Sequence, residues 1–139
     1  MVASLRKGHD IMKEMQLDGL RVLIVEDDYY LATDNMAVIE AAGGKVVRPF
    51  GTDNEARASL DTEGADLAVV DINLGNGPVF DLARHLQSIK LPFLFATGYD
   101  QEVVPNDLSD VVRLEKPFRP AELINAAVSV LQEMDIRER

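Results

Sequence analysis

The residues most able to do chemistry in this 139-residue chain stand at the ends of short hydrophobic runs. Glu26 and Asp27 follow Val22–Val25, Asp71 follows Leu67–Val70, Thr97 follows Pro92–Ala96, and Lys116 lies just beyond Val111–Leu114. If the first run lies beside the run ending at Asp71, three carboxylates share one crevice. Close carboxylates repel and raise one another's pKa values, a conflict that a divalent cation removes. The ligands on offer are hard oxygens, with no histidine or thiolate among them. Magnesium is therefore the expected ion, with manganese as a substitute. A single acid after a strand is more often a turn residue or a helix cap, and Asp28, just ahead of a helix, reads that way. The weight rests on the combination across four strand ends.

The elements that must position these groups alternate along the chain. Val22–Val25 is a continuous apolar run of the kind found in buried parallel strands. The pattern predicts a helix over Tyr30–Ala42, with Leu31, Met36 and Ile39 as core candidates and Gly43-Gly44 as its stop. A shorter, more polar strand over Lys45–Phe50 belongs nearer a sheet edge, and a helix over Asp53–Glu63 ends at Gly64. After the Asp71 strand, Pro78 is suited to opening a helix carrying Phe80, Leu82, Ala83 and Leu86. Pro105 leaves room only for a short or irregular helix between the fourth and fifth strands. Ala121–Met134 closes the chain with Leu123, Ile124, Ala127, Val128 and Leu131 on one face. Such alternation predicts an α/β fold: an open, doubly wound, five-stranded parallel sheet with helices on both faces. The natural strand order is 2-1-3-4-5, with the site at the carboxyl ends of the central strands.

Composition narrows the function classes. The chain is 47% hydrophobic and 27% charged, a balance suited to one globular domain. It has no cysteine, which removes disulfides and thiolate metal sites, and His9 and His85 match no zinc spacing. A formal net charge of −10 argues against direct nucleic-acid binding. No apolar run reaches membrane-span length, and the first residues carry no secretory pattern, so a cytoplasmic location is expected. Residues 1–19 are read as an N-terminal extension, 20–134 as the domain and 135–139 as a tail.

Four stretches then match one family: VLIVEDD at 22–28, AVVDINLG at 68–75, PFLFATGY at 92–99 and EKPF at 115–118. In this order they resemble the response-regulator receiver domains of two-component signalling, over roughly Leu20 to Glu133, and imply a CheY-like three-layer sandwich. The resemblance implies that Asp71 accepts a phosphoryl group from the phosphohistidine of a sensor histidine kinase or a phosphotransfer protein. It implies that Glu26, Asp27, Asp71 and the backbone carbonyl of Asn73 hold the magnesium. Lys116 would pair with the acceptor and then with the phosphoryl group, and its bond to Pro117 would be cis. Thr97 becomes the switch hydroxyl, Gly98 allows close approach or an unusual backbone, and Tyr99 and Asn73 govern water access. The PFLFATGY text is similar to the subclass paired with HWE or HisKA2-type kinases.

Two departures bear on the output. Gly75 stands where the family commonly has proline, which predicts a looser loop after the acceptor. Arg113 replaces the usual switch aromatic on the fifth strand and cannot bury as an aromatic would. Output is expected through protein–protein contact or phosphoryl competition, by a monomer or weak dimer. The alternative is a receiver-like interaction module that works without phosphorylation. A flavodoxin-like cofactor protein would need a phosphate-cradling loop where Glu26 and Asp27 stand. A phosphohydrolase would need a second acid at the position of Asn73.

Overall fold

The apolar runs form the strands, and the register between them sets the site. The structure, a computed structural model, describes residues 16–46, 49–74, 77–78, 80–98 and 104–138. In chain order these comprise β1 (Val22–Val25), α1 (Tyr29–Ala41), α2 (Asp53–Thr62), β2 (Leu67–Asp71), β3 (Asn73–Leu74), β4 (Gly77–Pro78), α3 (Phe80–Ser88), β5 (Phe93–Thr97), β6 (Arg113–Glu115) and α4 (Pro120–Glu138). The main sheet runs β1-β2-β5-β6, all parallel. The expected second strand appears as two parallel bridges on the outer side of β1, Arg21 with Lys45 and Val25 with Phe50. Counting that segment gives the expected order 2-1-3-4-5.

Side-chain alternation divides the core into two layers. Leu23, Val25, Ala68, Val70, Phe93 and Phe95 meet Ala56 of α2 and Leu82, Ala83 and Leu86 of α3. Val22, Ile24, Leu67, Val69 and Leu94 meet Ile39 of α1 and Leu123, Ala127 and Val130 of α4. Each fully buried aliphatic or aromatic side chain contributes about 1.5–3 kcal/mol. Among the described residues no helix is long and apolar enough to cross a membrane.

Local chemistry sets the helix ends. Asp28 caps α1, its Oδ1 accepting from the N–H groups of Tyr30 and Leu31 at 2.9 and 3.1 Å, as its placement predicts. Thr52 caps α2 by accepting from the Glu55 N–H. Gly43 follows α1 with φ +92°, and a Cβ there would lie 2.9 Å from the Asp18 Cα, so glycine is required.

Several expectations are corrected. Leu31 is exposed rather than in the core; Ala32, Asn35 and Ile39 form the buried side of α1. Pro78 does not open a helix but pairs with Asn73 in a small antiparallel hairpin, and α3 starts at Phe80. Between β5 and β6 the expectation holds: the described residues carry only a short 3-10 turn, Asn106–Leu108, with Pro105 ahead of it. Leu17 is fully buried, and α4 runs from Pro120 to Glu138.

Candidate functional site

The register brings the strand ends level. Val25 pairs with Val70, and Asp71 pairs with Ala96. Val25 and Val70 both point into the α2–α3 layer. Alternation therefore sends Glu26 and Asp71, one residue later, toward the α1–α4 side. Both are buried, at 5% and 6% exposure, whereas Asp27 is exposed at the rim. Carboxylate oxygens of Glu26, Asp27 and Asp71 lie within 4.8 Å of one another.

Lys116 reaches this cluster from the loop after β6. Its backbone N–H donates to the Thr97 carbonyl at 2.7 Å, and the Lys116–Pro117 bond is cis, as the resemblance implies. The ammonium lies 2.6 Å from Glu26 Oε1 and 3.2 Å from Asp71 Oδ2. Glu26 Oε2 accepts from the Asp28 N–H, and Asp71 Oδ1 accepts from the Asn73 N–H at 3.1 Å. Both oxygens of each buried acid are thus engaged.

Two carboxylates share one ammonium. Burial pushes the Glu26 carboxyl above the usual carboxylate range, and the neighbouring Asp71 carboxylate adds to that, outweighing the bond from Lys116. Burial works against charge on Lys116, but the bond to Glu26 and the charges of Asp71 and Glu26 overcome it, leaving the ammonium harder to deprotonate. The site therefore carries more negative charge than one lysine neutralises. A hard divalent cation fits this all-oxygen donor set.

The remaining predicted residues separate. Thr97 is buried, and its hydroxyl donates to the Gly98 carbonyl at 3.2 Å. The φ of Gly98 is not in the left-handed region, and among the described residues a Cβ there would have no atom within 4 Å. Arg113 pairs with Phe95 in the ladder and is exposed. Pro117 is exposed, and Tyr99 lies outside the described residues. The loop after Asp71 contains a feature the sequence reading missed, the β3–β4 hairpin. The glycines flanking Asn76 are the signal that marks such a turn.

No protein-family model matches the chain. The Phyllosphere-induced regulator PhyR of Methylorubrum extorquens is 28% identical over 129 residues, covering 88% of this chain and 46% of that protein. The solution structure of SdrG from Sphingomonas melonis is 30% identical with a TM-score of 0.72, covering 81% of this chain and 96% of that one. This chain belongs to the receiver-domain family of two-component signalling proteins. A third likeness agrees: the N-terminal domain of a response regulator/sensory box/GGDEF protein from Carboxydothermus hydrogenoformans, at 25% identity, a TM-score of 0.73 and coverage of 86% and 99%. The receiver domain spans about half the length of the curated relatives it matches. Its acidic pocket of Glu26, Asp27 and Asp71 is consistent with a phosphoacceptor site.

Proposed function

We propose that Asp71 accepts a phosphoryl group from a phosphohistidine and that the protein signals in that state. The observation that carries this reading is the placement of Asp71. It ends a central strand, is buried, shares one ammonium with a second buried acid and lies within 4.8 Å of a third. An oxygen of its carboxylate attacks phosphorus, the phosphorus–nitrogen bond breaks with its electron pair going to the imidazole, and an acyl phosphate forms. Glu26, Asp27, Asp71 and the Asn73 carbonyl would hold magnesium, which would neutralise charge on the phosphoryl oxygens. Lys116, already bonded to Asp71, follows the new oxygens as a mobile point charge. The Thr97 hydroxyl gives up the Gly98 carbonyl for a phosphoryl oxygen, a stronger acceptor, and thereby moves the chain after β5.

The donor is a sensor histidine kinase or a phosphotransfer protein, and the PFLFATGY text supports the HWE or HisKA2 type. Tyr29, Tyr30 and Leu31, exposed next to the acids at the start of α1, offer a partner apolar contact beside the acceptor. Output runs through protein–protein contact or competition for phosphoryl groups. The test is phosphotransfer from autophosphorylated kinases of the HWE and HisKA types. Wild type should drain label fastest from the HWE kinase, and Asp71→Asn should leave it on the kinase. Equal draining by Asp71→Asn would refute the acceptor, and a preference for the HisKA kinase would refute the subclass.

A further inference from the structure

The hairpin after the acceptor stands where the family commonly has a proline, and its register has a chemical consequence. Asn73 is opposite Pro78, and Leu74 is opposite Gly77. Antiparallel pairs alternate between hydrogen-bonded and non-hydrogen-bonded. Pro78 has no N–H to donate. The Asn73–Pro78 pair is therefore the non-hydrogen-bonded one, and the N–H and C=O of Asn73 both face away from β4. The Asn73 N–H is found on Asp71 Oδ1 at 3.1 Å. Within a strand the N–H and C=O of one residue point the same way. The Asn73 carbonyl is thus turned to the side of the Asp71 carboxylate. Leu74, the next residue, is buried in the cluster that holds Leu82 and Phe95 and pins the hairpin to the core.

We propose that the β3–β4 hairpin is a positioning element that turns the Asn73 main chain toward the acceptor, its N–H on Asp71 and its carbonyl facing the same side, toward the metal. Pro78 is the residue that excludes the competing pairing, and Leu74 is the anchor. The metal half of this inference rests on the function proposed above; the Asn73 N–H half does not.

The test compares Leu74→Ala and Pro78→Ala with Leu86→Ala, a core truncation on α3. Two readouts are taken on unphosphorylated protein: exchange of the Asn73 amide without metal, and magnesium affinity by amide chemical-shift titration. Leu74→Ala should speed Asn73 exchange and weaken magnesium binding roughly tenfold, the size seen when a ligand's outer support is lost. Pro78→Ala should shift both site readouts in the same direction by a smaller factor, since the Leu74 anchor remains. Leu86→Ala should lower the thermal midpoint and leave both site readouts near wild type. Site readouts unchanged in both hairpin variants, or equally changed in Leu86→Ala, would overturn the proposal. Failure of wild type to bind magnesium would sink the metal reading, and the Asn73 amide alone would then decide the role of the hairpin.

Discussion

Replacing Lys116 by methionine removes the ammonium but keeps most of the side-chain volume. It leaves Glu26 and Asp71, both buried, with oxygens no more than 4.8 Å apart. Two unit charges at that distance repel by about 3.5 kcal/mol at an effective dielectric constant of 20. Removing one partner of a buried charge cluster typically costs about 3–5 kcal/mol. Protonation of Glu26 relieves part of this, because burial already pushes that carboxyl up from its ordinary 4.5. A carboxyl raised in the folded state binds its proton more tightly there than in the unfolded chain. Its contribution is therefore fully present below the unfolded pKa and is lost as pH rises through the folded one. Lys116→Met should accordingly lose about 2–4 kcal/mol at pH 8 and much less near pH 5. Urea denaturation followed by circular dichroism at several pH values measures this. Adding magnesium at pH 8 should stabilise the variant more than wild type, since the cation then has no ammonium to compete with. A variant as stable as wild type at pH 8, or one whose deficit is the same at both pH values, would refute the electrostatic reasoning.

Two further substitutions separate structure from chemistry. Asp28→Ala should cost about 1 kcal/mol by loss of the α1 cap while leaving magnesium affinity close to wild type; a loss of affinity matching that of Asp27→Asn would mean that Asp28 is a ligand. Thr97→Ala should still take a phosphoryl group on Asp71, but the amide chemical shifts at Gly98 and in β6 should no longer respond. A full response in that variant would remove Thr97 from the switch.

The fold was legible because parallel strands buried on both faces read as unbroken apolar runs, as in Val22–Val25 and Leu67–Val70. The acids were legible because each directly follows such a run. What stayed hidden depends on choices that spacing does not make. In α1 the exposed Leu31 looks more apolar than the buried Ala32 and Asn35, so composition put it in the core beside Met36 and Ile39, which do pack there. The hairpin uses only two residues on each side, too few for a periodic signal, and Pro78 fits a helix start equally well. The division of Lys116 between Glu26 and Asp71, with the shorter bond to Glu26, follows from burial and from the path of the loop after β6. Arg113 could be identified as a departure, but its exposure on the same face as Phe95 required the strand register.

The central claim is that Asp71 is a magnesium-dependent phosphoacceptor, and intact mass after incubation with a small phosphodonor tests it directly. Wild type should gain the mass of one phosphoryl group with magnesium and none with a chelator, and Asp71→Asn should gain none in either condition. No gain on wild type, or an undiminished gain on Asp71→Asn, would contradict the account.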